Sequence, residues 1–248
     1  MIAALCWGPV LASIGLCVGS FTTTAAMRAA RGEPFLGGRS HCDHCGADVS
    51  LASATPLVGY ALHRGCCASC GGRIDPIHVG GEVVGALALA APLLLVGGVR
   101  GGLIALLASL GLASSVYDLK TQRLPDELTA GIAVCAGLLS AMRGVASVLS
   151  GLGAALAVLL ILAAVRSAYW RLRNREGLGF GDVKLLAALA LWLGLATPWA
   201  LAGAATLAIV ASVLLPASRE RLAFGPYLVA ASVTAGLVME MASWPHLP

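Results

Sequence analysis

Eight long apolar stretches divide this chain, at 2–22, 80–98, 101–117, 126–142, 145–165, 183–197, 198–215 and 222–243. A helix needs about 20 largely apolar residues to cross hydrocarbon, so the pattern predicts an all-α polytopic membrane protein of about eight transmembrane helices. The sixth and seventh stretches are separated only around Thr197-Pro198-Trp199. Composition agrees: 58% of residues are hydrophobic and 11% charged, where a soluble domain carries roughly a quarter charged. An ordinary soluble enzyme, a disordered tail and a secreted disulfide scaffold are all excluded. The first stretch lacks a basic leading region, and Leu16 stands before Cys17 where a lipoprotein cleavage site wants a small residue. It reads as an uncleaved first helix rather than a signal peptide.

The few basic residues sort by side. Loop 23–79 holds Arg28, Arg31, Arg39, Arg64 and Arg73. The next gaps hold Arg100, then Lys120 and Arg123, then Arg143, then Arg166, Arg171, Arg173, Arg175 and Lys184. None lies near Pro198, Arg219 and Arg221 follow, and the C-terminus has none. Fourteen of the 16 basic residues therefore fall in alternate gaps. Because Lys and Arg favour cytoplasmic loops, those gaps are expected inside and both termini outside. The net charge of +4 says little beyond this distribution, and no nucleic-acid partner is expected. The Arg-rich segment 166–176 is expected to meet anionic headgroups of the membrane lipid.

Loop 23–79 is the one sizeable polar piece, too short for a comfortable core of its own. It carries Cys42-Asp-His-Cys45 and Cys67-Ala-Ser-Cys70, two C-x-x-C pairs 21 residues apart. Each pair can present two thiolates from a tight knuckle, and two knuckles complete a tetrahedral zinc site. Gly46 and Gly71 follow the second Cys of each pair, where such turns need glycine. A reducing cytoplasm disfavours disulfides; a redox-active pair and unligated thiols are the other readings. Cys66, His41, His44 and His63 are possible substitute ligands, while Cys6, Cys17 and Cys135 lie in spans as small packing residues.

Two carboxylates stand at span ends on the same side. Asp118 closes the third span in Tyr117-Asp118-Leu-Lys-Thr-Gln-Arg-Leu-Pro125-Asp126, and Asp182 precedes the sixth in Gly179-Phe-Gly181-Asp182-Val-Lys184. A carboxylate beside hydrocarbon is costly unless paired or used. Two sharing one site can hold one proton between them, one serving as base and the other as acid. The competing readings are a helix cap for Asp182 and an ion pair with Lys120 or Arg123 for Asp118. Asp126 reads as an N-cap, with Glu127 in the first turn. Lys184 could steady charge at Asp182 or serve elsewhere. Spacing alone leaves the choice open.

Taken in order, these motifs resemble the type IV prepilin peptidase family. The resemblance runs from Gly19-Ser20-Phe21 and Arg28 through the paired C-x-x-C loop, with Pro56-Leu57-Val58-Gly59-Tyr60 between the knuckles. It continues through Asp118 to Pro125-Asp126-Glu127-Leu128-Thr129, the Gly179-to-Leu186 block, and Phe224-Gly225-Pro226-Tyr227-Leu228. G-x-G-D alone is shared with other intramembrane aspartyl proteases; the ordered set is specific. The resemblance implies a bacterial inner-membrane endopeptidase with Asp118 and Asp182 as its catalytic pair and Gly179, Gly181 and Lys184 as supporting motif residues. It implies cleavage of prepilin or pseudopilin leaders after Gly on the cytoplasmic face, for type IV pili or type II secretion. It further implies methylation of the new N-terminus by S-adenosylmethionine, with the zinc loop serving that second activity and Gly65 and Glu82 associated with it. Glu33 or Glu176 could receive the basic leader. The implied division is a first helix at 1–22, a zinc-binding loop at 23–79 and a peptidase domain at 80–248. This sequence departs from the pattern at Thr23, where Asn is common, at Cys66, where a basic residue is usual, and at Val79-Gly80-Gly81 before Glu82. A peptidase without methyl transfer, a transporter component and a zinc-knuckle scaffold are the rival readings.

Overall fold

In hydrocarbon each backbone N–H and C=O must find its partner within its own segment, so apolar runs of this kind become helices. The structure, a computed structural model, describes residues 2–35, 39–174, 179–214 and 222–243. Arg175, Glu176, Arg219 and Arg221 lie outside the described residues. Among those described, the helices are α1 (Ile2–Ala30), α2 (Val58–Leu62), α3 (Ile77–Leu95), α4 (Gly98–Thr121), α5 (Asp126–Ala141), α6 (Val145–Arg173), α7 (Phe180–Leu193), α8 (Thr197–Leu214) and α9 (Gly225–Ser243). Extended pairing among them is limited to two isolated bridges, His41 with Asp48 and Cys66 with Arg73.

Six segments are long and apolar enough to cross a membrane, with Phe180–Leu214 counted as one run. The eight expected stretches correspond to α1 and to α3 through α9; the tally of six omits the short α5 and joins α7 to α8. Helix α5 has 16 residues, about 24 Å at 1.5 Å per residue, against a hydrocarbon core of about 30 Å. Helices α7 and α8 divide one 35-residue apolar run at Gly194, whose φ of 53° turns the chain through the 3-10 segment Gly194–Ala196. The Thr197 hydroxyl donates to the Gly194 carbonyl at 2.7 Å and closes that turn. Helix α1 runs on to Ala30 rather than stopping at 22, because Ala25-Ala26-Met27-Arg28-Ala29-Ala30 are strong helix formers.

Small residues set the closest helix pair. A methyl group on Gly15 would lie 2.6 Å from the Ala86 Cα, and one on Gly85 would strike the Gly19 backbone, so α1 and α3 cross nearly backbone to backbone. The main core gathers Ile104 and Leu107 from α4, Ile132 and Leu139 from α5, and Leu189 and Trp192 from α7, all fully enclosed. Gly236 of α9 makes room for the Trp192 ring. Along α6, Leu149, Leu152, Leu156, Leu160 and Ile161 are exposed, as a lipid-facing helix requires.

The side-chain contacts define two ends of the bundle. At one, the loop before α3 meets α4, α4 meets α9, and α5 meets α7, through Asp75–Lys120, Asp118–Gly225 and Asp126–Lys184 respectively. At the other, the Glu240 carboxylate, 1% exposed, faces Arg143 at 3.4 Å and Arg100 at 3.8 Å. The same carboxylate accepts the Trp192 indole N–H at 3.0 Å. Arg143 also donates to the Trp192 carbonyl, and Arg100 to the Met142 carbonyl at 2.8 Å. The ends of α4, α5, α7 and α9 are thus tied by one acid to the two arginines outside the dominant basic side. Removing one member of a buried ionic cluster strands the others, at about 3–5 kcal/mol. Glu240→Ala is therefore expected to lower the thermal unfolding midpoint in detergent markedly; an unchanged midpoint would contradict the clamp.

Candidate functional site

The last turn of α4 delivers Asp118 to one end of the bundle, where it is buried. Its Oδ2 accepts the N–H of Gly225 at 3.0 Å. Gly225 opens α9, and the first N–H groups of a helix have no partner within it, so they favour an anion. A methyl on Gly225 would stand 2.8 Å from that same Oδ2, so only glycine admits the carboxylate here. This gives Phe224-Gly225-Pro226 a physical role that local sequence reading had missed. The only available signal was a helix start with Pro at its second residue.

Asp182 lies in the first turn of α7, half-buried. Both glycines of its motif make room. A methyl on Gly179 would come within 3.1 Å of Asp182 Oδ2, and one on Gly181 within 3.1 Å of the Leu124 Cβ. The first glycine clears the carboxylate, and the second lets α7 start against the α4–α5 turn. Gly181 packs on Leu124, six residues after Asp118, so the two aspartates, 64 positions apart in the chain, share one end of the bundle.

Lys184 does not serve Asp182. Its ammonium pairs with Asp126 of α5 and stands 5.4 Å from the centre of the Phe180 ring. Pro125 takes the N-cap position expected of Asp126, which is instead the first helical residue. Nor does Lys120 pair with Asp118: it binds Asp75 Oδ2 at 2.5 Å, while Asp75 Oδ1 accepts the Ile77 N–H at 3.0 Å. Burial alone would raise the Asp75 pKa, but Lys120 and the Ile77 N–H hold it below its ordinary value. A depressed carboxylate contributes stability above its unfolded pKa of about 3.9 and loses it as pH falls through the folded value. The strap from the loop to α4 therefore holds at neutral pH.

The loop folds into two knuckles of one design. The Gly46 and Gly71 N–H groups donate to the Cys42 and Cys67 carbonyls at 2.9 Å each, and both glycines take positive φ, 69° and 70°. The sulfur atoms of Cys42, Cys45, Cys67 and Cys70 all lie within 4.8 Å of one another, with Cys42 and Cys70 3.9 Å apart. Tetrahedral zinc with Zn–S near 2.3 Å separates its sulfurs by roughly 3.8 Å, so these four fit the ion. The N–H groups of His44, Ser69 and Gly72 donate to the Cys42, Cys67 and Cys70 sulfurs at 3.4 Å each. Backbone N–H groups of Cys70 and Ser69 lower the Cys67 thiol to about 6. Cys70 is pushed up to about 11: the Gly72 N–H lowers it, but the Cys45 thiol and burial more than offset that. Four crowded thiols do not all ionise without a cation among them.

The substitute ligands are otherwise engaged. His44 Nε2 meets the Arg73 carbonyl at 3.1 Å, bracing one knuckle on the other, and His63 Nε2 meets Ser53 Oγ at 2.9 Å. His41 sits in the bridge with Asp48, and the Cys66 sulfur lies against the Arg64 carbonyl at 3.8 Å.

Glu82 is buried in α3 and joins the loop to α1 by accepting the Ser20 hydroxyl at 2.9 Å and the Leu57 N–H at 2.8 Å. Gly65, at φ 73°, turns under Tyr60, where a methyl would stand 2.8 Å from the phenol oxygen. Two departures from the family pattern meet in space: a side chain at Gly81 would collide with Thr23, which is fully buried. Cys135 is buried in the main core, and Cys17 is exposed on α1. Glu33 pairs with Arg31 at 3.0 Å.

Fold and site together define a multi-pass helical membrane protein. Its polar loop is built on a four-cysteine cluster, and two of its helix ends place a carboxylate each at one end of the bundle. Residues 13–95 match the Bacterial Peptidase A24 N-terminal domain, and residues 104–239, over half the chain, match the Type IV leader peptidase family. The chain belongs to the Type IV leader peptidase family.

Among curated relatives, it is 37% identical over 205 residues to the prepilin leader peptidase/N-methyltransferase of Burkholderia pseudomallei (strain 1026b), covering 77% of this chain and 64% of that protein. The chain therefore spans slightly less than two thirds of that relative's length. It is 36% identical over 198 residues to the protein of the same name from Klebsiella pneumoniae, covering 76% and 86% of the two chains. For the Pectobacterium carotovorum subsp. carotovorum protein the figures are 35% over 211 residues, 81% and 74%. No solved structure gives a significant match.

Proposed function

We propose that this protein is a bacterial inner-membrane aspartic endopeptidase that removes the leader from type IV prepilins or pseudopilins. The cut falls after Gly on the cytoplasmic face, with both termini periplasmic. The observation that carries this reading is the placement of Asp118 and Asp182 at one bundle end in a chain of the leader peptidase family. One carboxylate, ionised, takes a proton from water as it attacks the scissile carbonyl. The other, protonated, polarises the carbonyl oxygen and then supplies a proton to the leaving amine. The pair titrates as a unit. The Gly225 N–H fixes the orientation of Asp118, and Gly179 and Gly181 place Asp182. Lys184, bound to Asp126, steadies the α5–α7 contact beneath it.

The same protein then methylates the freed N-terminal amine with S-adenosylmethionine, supporting pilus assembly or type II secretion. Cys42, Cys45, Cys67 and Cys70 would hold a zinc ion, which would supply structural order to the two knuckles. A transporter reading would favour carboxylates at mid-bilayer in broken helices, whereas these two stand at helix ends.

Membranes containing the protein, incubated with a type IV prepilin and S-adenosylmethionine, are expected to yield a faster-migrating product. Mass spectrometry should find its new N-terminus immediately after Gly and bearing one methyl group. An intact prepilin after prolonged incubation would refute the peptidase reading.

A further inference from the structure

The last turn of α4 is held from two sides. Asp118 and Lys120 stand two positions apart in it, so their side chains leave the helix about 200° apart. Asp118 Oδ2 accepts the Gly225 N–H of α9 at 3.0 Å, while Lys120 donates to Asp75 Oδ2 at 2.5 Å. The turn between them is tied to itself. The Gln122 N–H donates to the Asp118 carbonyl at 2.8 Å. The Thr121 hydroxyl donates to the Tyr117 carbonyl at 2.9 Å and accepts the Arg123 N–H at 3.2 Å. A shift of Lys120 therefore carries the Asp118 backbone with it.

Asp75 is fixed in its turn by the second cysteine knuckle. The Cys67 N–H donates to the Gly72 carbonyl at 2.8 Å, Cys66 bridges Arg73, and the Ile74 N–H donates to the Gly65 carbonyl at 2.8 Å. Asp75 follows directly, its Oδ1 accepting the Ile77 N–H at 3.0 Å. Ile77 packs against the apolar cluster that holds Leu112 and Val116 of α4. Other polar contacts of the loop, Arg28–Arg39, Arg31–Asp43 and Leu57–Glu82, run to the end of α1 or to α3. Asp75–Lys120 instead carries the loop to the helix of Asp118. The side chains of Lys120 and Asp75 are 31% and 37% exposed, and an ion pair as open as this adds little to stability. What it supplies is placement.

We infer that Lys120 is a positioning residue for Asp118, through which the order of the four-cysteine loop sets the rate of the aspartic site. This rests on the peptidase reading proposed above. Lys120 touches no reacting atom. Held by Asp75, it fixes the rotation of the last α4 turn, and so the direction in which Asp118 presents its carboxylate. A misplacement of about 1 Å can cost about a hundredfold in rate; releasing one of two holds on the turn is expected to cost about tenfold.

The test uses the full zinc-loaded chain in detergent. Lys120→Met keeps the apolar stem and loses the charge; Asp75→Asn keeps an acceptor for the Ile77 N–H and loses the charge. Each is expected to lower kcat for prepilin cleavage about tenfold, with KM, zinc content and the thermal unfolding midpoint unchanged. Lys120→Arg, which keeps the charge, should retain the wild-type kcat. The two losses should not add, and Cys42→Ser should reduce cleavage in the wild-type chain but no further in Lys120→Met. Hydrogen exchange at the Gln122 amide should quicken in Lys120→Met. Asp75→Asn carries the test if Lys120→Met loses zinc. Wild-type kcat in a zinc-replete variant, a loss confined to KM, failure of Lys120→Arg to keep kcat, or unchanged exchange at Gln122 would each overturn the assignment. The functional reading fails separately: a wild-type protein that leaves prepilin intact refutes the peptidase, while exchange at Gln122 still reports whether the strap holds the turn.

Discussion

Asp182→Asn is expected to leave the protein folded and in the membrane while leader removal falls by about two to four orders of magnitude. Asparagine keeps the shape and the hydrogen-bonding capacity of the carboxylate but carries no titratable proton, so the loss is one of chemistry rather than packing. Asp118→Asn should be equally severe. The amide oxygen can still accept the Gly225 N–H that meets Asp118 at 3.0 Å, so the start of α9 stays in place. The two changes should not multiply: a double variant is expected to be about as inactive as either single one, because the pair acts as a unit. Initial rates of prepilin cleavage, normalised to the amount of protein in the membrane, decide the matter. Processing within tenfold of wild type in either single variant would remove the carboxylate pair from the mechanism.

The second large effect concerns zinc. Cys42→Ser or Cys67→Ser replaces a thiolate by a hydroxyl that does not ionise at neutral pH and is a poor zinc ligand. Zinc content is expected to fall from about one ion per chain to near zero, and N-terminal methylation to fall with it. Leader cleavage should fall far less, since the aspartates are held by α4 and α7 and not by the loop that carries the cysteines. Some effect on cleavage is expected through the Asp75–Lys120 contact, which ties the end of the zinc loop to the turn that follows Asp118. Mass spectrometry of the mature N-terminus separates the two activities. Methylation that persists while cleavage fails would reverse this division of labour.

The parts of the molecule visible from sequence are those whose cause is local. A C-x-x-C knuckle is specified by its own six residues, and the spacing favoured Cys67 over Cys66 as the structure does. Charge placement singles out Asp118 and Asp182 at span ends, but a helix cap and an ion pair fit that placement too, and it is the family resemblance that names them as a pair. Helix limits were less visible: α1 continues past the hydrocarbon because Ala and Met hold a helix in water as well as in lipid. Pairings between distant elements could not be read at all. Lys184 lies two residues from Asp182 yet pairs with Asp126, 58 positions away, because the start of α7 packs against the start of α5. Glu240 gave no signal beyond being one acid in an apolar segment, yet it collects Arg100, Arg143 and Trp192. Thr23 and Gly81, each a departure on its own, become intelligible together once α1 and α3 are seen to touch.

Glu240 has a mechanical consequence. Helices α4, α7 and α9, which supply Asp118, Asp182 and the Gly225 N–H, are joined at their far ends by its ionic cluster. Separating them there would leave the buried Glu240 carboxylate without its partners, which is costly. At the near end, the Asp126–Lys184 pair is partly exposed, and water replaces such a contact at small cost. The bundle therefore behaves as a pair of tongs, riveted at one face and sprung at the other. The opening between the jaws lies at the end that carries the two aspartates.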